Sequence, residues 1–285
     1  MASSIDLDVF APITDKFERV EAQTGRSRYR VFDEWLQFVV TTLTRDDDTY
    51  AHLVTDLEQT VEDEASAREC LDAYAAAFGL LVDAMADVTV PGTDTPGDLL
   101  GAMYESYGAT SNHFGQHFTP ESVAIMKAKM ESPDADSVRD ATPENPRIIG
   151  DPACGSGRLP FQAVHHLREV APETPVVVVA RDIDATCARM ATINFALWGI
   201  PAYVVHGNSL TLDTWQVWRI DTPTQPLTRP TQDGVVTTIP PEDAPVRTSP
   251  DVEHQPQEAS SDASPTPADG LTVDDAAQVS LGDFS

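Results

Sequence analysis

Arg147-Ile-Ile-Gly150, followed at once by Asp151-Pro-Ala-Cys-Gly-Ser-Gly157, constrains this chain more than any other stretch. A short apolar run that ends in two closely spaced glycines and then enters a helical pattern reads as strand, tight turn and helix N-terminus. Gly155 and Gly157 permit positive φ and close backbone approach, and the helix that follows offers N–H groups with no intrahelical partner. Asp151, at the strand end, is placed to hold a cationic amino group. The G-x-G-x-x-G of a dinucleotide site is not formed, because the third position is Pro160 and the acid stands before the turn.

The pattern around this turn is that of alternating strands and helices. Strands are expected at Arg147–Gly150, Pro175–Ala180 and Tyr203–His206, and helices from Pro120, after Gly157 and over Ala185–Trp198. Such alternation predicts an α/β fold with a parallel sheet. Upstream, Val31, Phe32, Trp35, Leu36, Val39 and Leu43, and then Leu71, Tyr74, Phe78, Leu81, Val82 and Met85, recur at helical spacing. Residues 1–95 therefore read as an all-helical N-terminal domain, 96–220 as the α/β domain, and 221–285 as a disordered acidic tail rich in Pro, Asp, Ser and Thr. The tail carries too little apolar surface to offset its ordering entropy.

Two further motifs belong to the same sheet edge, and a third lies upstream of it. Val176-Val-Val-Val-Ala-Arg-Asp182-Ile-Asp184 is a buried strand that delivers an acid 25 residues beyond Gly157, where a ribose diol is commonly gripped. Asp184 reads as the cap of the next helix. His206-Gly-Asn208-Ser-Leu210 follows the third strand, and Gly115-Gln-His-Phe118-Thr119-Pro120 lies upstream, with Thr119 as the expected N-cap and Pro120 at the first helical position.

In order and spacing, Asp98-Leu-Leu-Gly-Ala-Met-Tyr-Glu105, Gly115-Gln-His-Phe-Thr-Pro120, Asp151-Pro-Ala-Cys-Gly-Ser-Gly157, Asp182-Ile-Asp184 and Gly207-Asn-Ser-Leu210 resemble the N6-adenine DNA methylases of type I restriction–modification systems. The resemblance implies a partial Rossmann-like, S-adenosyl-L-methionine-dependent methyltransferase sheet preceded by a helical domain. It places Phe118, Thr119, Pro120, Asp151, Ala153, Gly155 and Gly157 around the methionine part of the cofactor. Asp182, with Ile183 beside it, falls on the ribose, and Asn208 on the adenine. DNA is the implied partner, with a specificity subunit or a complementary methylase subunit as a second.

The Asn/Asp-Pro-Pro-Tyr/Phe motif that orients the target amine in such enzymes has no intact counterpart. That chemistry needs an extruded base, acceptors for its amine and an aromatic ring to stack on it. The nearest approach is Asp233-Gly-Val-Val-Thr-Thr-Ile239-Pro-Pro-Glu242, with Ile239 at the Asn position and Glu242 at the aromatic one. No strand is expected to lead into it, and catalytic residues stay unassigned. Two readings follow: an adenine-N6 methylase completed by a partner, or a non-catalytic cofactor-binding or interaction protein of a restriction–modification or mobile-element system.

Charge separates these readings poorly. With 46 Asp+Glu against 18 Lys+Arg, the formal net charge is -28, the opposite of a basic nucleic-acid footprint. Only Lys16, Lys127 and Lys129 are lysines, and the acids are dispersed, which resembles a halophilic proteome. At molar salt the Debye length is about 3 Å, so repulsion from phosphates is largely screened. Cys70, Cys154 and Cys187 lack ligand spacing, so neither a metal site nor a disulfide framework is expected. Without a leader-like N-terminus or a run of about 18 apolar residues, a cytoplasmic protein with no membrane association is expected.

Overall fold

The structure, a computed structural model, describes residues 7–90, 93–108, 118–131, 138, 140–222 and 235–245. Gly115-Gln-His117 and most of the expected tail lie outside the described residues.

Three strands, β1 (Arg147–Asp151), β2 (Val176–Asp182) and β3 (Ala202–Gly207), run parallel and adjacent, joined by helices α7 (Arg158–Val170) and α8 (Ala185–Leu197). This is the expected α/β arrangement. β2 alternates strictly between buried and half-buried positions, so Val176, Val178, Ala180 and Asp182 share the buried row. The same alternation that builds the core thus carries a carboxylate into it. α8 is buried over almost its whole length, from Thr186 to Leu197, and its polar members Thr186, Arg189 and Asn194 find partners within the protein. Its N-cap is Asp184, as expected, whose side chain accepts from the N–H groups of Thr186 and Cys187 at 2.7 and 3.2 Å.

Two strands lay beyond the sequence reading. β4 (Thr214–Asp221) pairs antiparallel with β3, and β5 (Val235–Ile239) antiparallel with β4, giving the order β1-β2-β3-β4-β5. The expectation of disorder from residue 221 is therefore corrected for 235–245. The run Val235-Val-Thr-Thr-Ile239 is wholly β-branched and fits a pleated surface, although Pro240 and Pro241 at its end made it look like more of the Pro-rich segment. Val236 is buried, and β5 packs against a helix of the N-terminal layer.

That layer comprises α1 (Ala11–Thr24), α2 (Arg28–Thr44), α3 (Asp47–Glu58) and α4 (Glu64–Asp87), followed by α5 (Leu99–Gly108) and α6 (Glu121–Glu131). Phe17, Phe32, Trp35, Tyr104 and Tyr107 form its aromatic centre, with ring centroids 5.2–6.4 Å apart and mostly edge-to-face. α2 is the joint to the sheet. Asp33 on α2 accepts from Thr186 Oγ1 at 2.6 Å and Arg189 Nη1 at 2.9 Å on α8, and α2 also contacts β5. A continuous core runs from these helices into the sheet across the boundary expected near residue 95.

A chain ended at Thr222 should melt lower than one ended at Pro245. Removing β5 uncovers β4, unburies Val236 and strips packing from α2. Full burial of such a side chain is worth about 1.5–3 kcal/mol, and each kcal/mol corresponds to roughly 2–4 °C in a domain of this size. A calorimetric scan of the two truncations should show a difference of about 5 °C or more.

Candidate functional site

The turn between β1 and α7 takes the conformation its glycines allow. Gly155 has φ 56° and Gly157 φ 85°, and the Gly157 N–H closes the turn on the Cys154 carbonyl at 2.8 Å. The turn is fastened to the end of β2 twice. Gly155 N–H donates to Asp182 Oδ2 at 2.8 Å, and Cys154 N–H donates to the Arg181 carbonyl at 2.9 Å. Asp182 Oδ1 accepts from the Asp184 N–H at 2.9 Å. The two acidic motifs expected on one edge are thus in direct contact.

Burial pushes the Asp182 carboxyl up from its ordinary range, and the negative charges of Asp184 and Asp151 add to that push against two backbone N–H donors. Burial likewise raises Asp151, opposed by the Ala153 N–H and by Lys127. Asp151 Oδ1 accepts from the Ala153 N–H at 3.0 Å, and Ala153 is itself exposed. Ile183 is 58% exposed although apolar. This corner holds mutually repelling carboxylates beside an open apolar side chain, an environment suited to a cation with an apolar body.

Phe118 lies on the turn. A Cβ on Gly155 would stand 2.8 Å from the Phe118 ring, which is also stacked on Tyr104 at 5.3 Å and 26° and lies 5.5 Å below the Arg158 guanidinium. Thr119 contributes its carbonyl, which accepts from Arg158 Nη1 at 2.8 Å. α6 starts at Glu121, and the Pro120 carbonyl accepts from the N–H groups of Val123 and Ala124. The helix therefore begins one residue later than expected, with Pro120 rather than Thr119 at the cap, because a proline carbonyl accepts as well as any other. Asn208 serves its own loop: its Oδ1 accepts from the N–H groups of Leu210 and Thr211 at 2.9 and 3.3 Å.

Beneath the turn is a buried polar cluster that the sequence reading missed. Asp98 Oδ2 accepts from Arg158 Nε at 3.0 Å and from the Ser156 hydroxyl; Asp98 Oδ1 accepts from Gly101 N–H at 2.9 Å and Asn194 Nδ2 at 3.0 Å. Glu121 accepts from the Asp98 N–H at 2.6 Å and from Gln162 Nε2 at 3.2 Å. Arg158 also reaches Glu105 at 3.1 Å. One guanidinium thus faces three carboxylates. Burial and the charge of Asp98 push Glu121 up to about 7, against the pull of Arg158. Asp98 and Glu121 carried a faint sequence signal, each beside a helix start after a proline; nothing linear joins them to Arg158 or Asn194.

Ile239-Pro240-Pro241-Glu242 also departs from expectation, since β5 does lead into it. Both β3 and β5 are antiparallel to β4, so β5 ends on the same edge of the sheet as the Gly-rich turn. A short 3-10 turn, Pro241–Asp243, follows.

Residues 94–257 match the model of the N-6 DNA methylase family. No curated protein matches the chain. Two solved structures are similar. One, from Listeria monocytogenes and assigned as a class I S-adenosylmethionine-dependent methyltransferase, shares 13% identity at a TM-score of 0.34, covering 66% of this chain and 48% of that one. The other is the type I restriction–modification system methyltransferase subunit from Streptococcus thermophilus, with 16% identity, a TM-score of 0.32, and 68% and 56% of the two chains covered. The chain spans about half the length of these two proteins.

The Glu121 environment sets a pH test. Its folded carboxyl titrates near 7 against an ordinary 4.5, so folding favours the protonated form. The resulting destabilisation is absent below the lower value, grows as pH rises between the two, and is complete above the upper one. Glu121→Gln removes the charge in a similar shape. Relative to the unaltered protein, the variant should gain a few degrees in melting temperature between about pH 5 and about pH 8. A melting-temperature difference that stays constant across that range would contradict the assignment.

Proposed function

Because the chain belongs to the N-6 DNA methylase family, we propose that it binds S-adenosyl-L-methionine at the C-terminal edge of its parallel strands and serves adenine-N6 methylation of DNA, with a partner subunit supplying the acceptor half. The observation that carries the reading is the acid-lined turn: Gly155 tied to Asp182, with Asp151 and Asp184 close enough for their charge to disfavour its ionised form. A ligand bearing a sulfonium and an ammonium relieves that repulsion, whereas an anionic one aggravates it. In this assignment Asp151 takes the ammonium, Asp182 the ribose hydroxyls through its remaining lone pairs, and Ile183 the apolar face nearby. Phe118 fixes the turn from the other side. When bound, the cofactor supplies the methyl group on its sulfonium.

The acceptor side is the incomplete part. Ile239 and Glu242 stand where an amine acceptor and an aromatic ring are required. Acceptor contacts of this kind orient the amine and stabilise the charge that develops on it. Their replacement supports dependence on a complementary methylase or specificity subunit, and equally a non-catalytic cofactor-binding role. A methyl-transfer assay separates these two by whether a partner restores turnover.

Titration with S-adenosyl-L-methionine in high-KCl buffer should give saturable heat. Asp182→Ala should weaken binding several-fold or more, since hydrogen bonds to a charged group are worth roughly 1.5–3 kcal/mol. Asp151→Asn, which keeps the bond to Ala153, should weaken binding without lowering the melting temperature, since burial already disfavours the ionised carboxyl there. Absence of cofactor binding sinks the proposal. The isolated chain should methylate adenine-containing DNA only at background, because each lost positioning group typically removes about 100–1000-fold in rate.

A further inference from the structure

Beside this site the sheet has an irregularity that the cofactor reading leaves unused. His206 pairs with Gln216, but Gly207 pairs with Thr214, so Trp215 is an extra residue on β4. A β-bulge of this kind bends its strand and re-aims one side chain, and bulges are frequent next to active sites. Here the re-aimed side chain is an indole that is 50% exposed, held edge-on by the His206 ring at 4.8 Å and 70°. His206 pairs with Asp182 in the neighbouring strand, and its ring lies within reach of the Ile183 backbone.

The loop that feeds Trp215 is built rather than slack. Asn208 N–H donates to the Asp213 carbonyl at 2.9 Å, Thr211 Oγ1 donates to Asp213 Oδ2 at 2.6 Å, and Arg181 Nη1 donates to the Asp213 carbonyl and to Thr214 Oγ1 at 2.9 and 3.2 Å. Leu212 is held at φ 64°, a strained conformation for a branched side chain. Strain of this sort persists only where surroundings over-determine it. From the other flank, β5 pairs Ile239 with Val217, so its end lies beside the part of β4 that leads back to the bulge. The turn Pro241–Asp243 packs against β4.

We propose that Trp215, flanked by the Pro240–Pro241 turn, is the stacking platform for an adenine ring at this edge of the sheet. The inference rests on the proposed function, in which both the methyl donor and the target base carry adenine. A half-exposed indole held edge-on by a neighbouring ring offers a flat apolar surface. Base stacking needs that surface and requires no particular hydrogen bond from it. The platform belongs to the strand pair that also carries Pro240-Pro241, so it supplies an aromatic ring that the sequence around Glu242 lacks.

Tryptophan emission gives a direct readout, because Trp35, Trp198 and Trp218 are buried and Trp215 alone of the four is exposed. The full-length protein in high-KCl buffer is titrated with S-adenosylhomocysteine, and separately with a short single-stranded oligonucleotide carrying one adenine or an abasic site in its place. Quenching of the unaltered protein by S-adenosylhomocysteine, with the calorimetric affinity lowered about 5- to 100-fold in Trp215→Ala and retained in Trp215→Phe, assigns the platform to the donor's adenine. Quenching by the adenine oligonucleotide but not the abasic one, with the same pattern in the variants, assigns it to the acceptor. If Trp215→Ala leaves both affinities unchanged while Asp151→Asn still weakens S-adenosylhomocysteine, this inference alone is overturned. If neither probe binds the unaltered protein, it falls together with the proposed function.

Discussion

Arg158 and Asp98 hold together the parts of this protein that chain order keeps apart. Both are buried, with 5% and 1% of their side chains exposed and 3.0 Å between them. Through them the start of α5, the start of α6, the Gly-rich turn and the last turn of α8 share one hydrogen-bonded cluster. Breaking a buried ion pair by removing one partner typically costs about 3–5 kcal/mol, a large part of the ordinary stability of a domain. The turn therefore owes its shape to helices on three sides as much as to its own glycines. Glu121 is the member whose charged form is disfavoured, because it is buried beside the charge of Asp98 and shares one guanidinium with it.

The same conflict of like charges recurs at the surface of the site, with a different outcome. Asp151, Asp182 and Asp184 have backbone N–H donors but no guanidinium among their described hydrogen bonds. Beneath the turn a guanidinium offsets the repulsion and burial disfavours the charge of Glu121; above it, Lys127 acts on Asp151 and backbone N–H groups on Asp182. A packed line of rings, Phe32, Tyr104 and Phe118, connects the helical layer to this point, so the N-terminal helices form the wall against which the turn is pressed.

Much of the sheet could be read from the sequence because its signals are local. Asp151 to Gly157 and Val176 to Asp184 each contain their own strand end and turn, and the pairing of β1, β2 and β3 follows from adjacency. What was not readable depends on distant partners. β5 looked like more Pro-rich sequence, since its strand character resides in five β-branched residues whose partner, β4, has mixed polarity and no clean alternation. The start of α6 differs from expectation by one residue, since the first helical bonds are accepted by the Pro120 carbonyl, a shift that the sequence pattern does not resolve. The motifs brought Asp151, Gly155 and Asp182 to one turn, as the structure also places them, whereas Arg158 and Asn194 look unremarkable in sequence and become central only once α5 and α8 close on them.

The link from Gly155 to Asp182 also bears on the binding of whatever enters this corner. In many glycine-rich loops the backbone N–H groups wait for a ligand anion, and the loop takes its final shape only on contact. Here the protein's own carboxylate already occupies that role, and the ring of Phe118 closes the opposite side. A ligand entering on this side would find the Gly155 donor already engaged and the turn already braced, so less ordering of the turn would be left to its own binding energy.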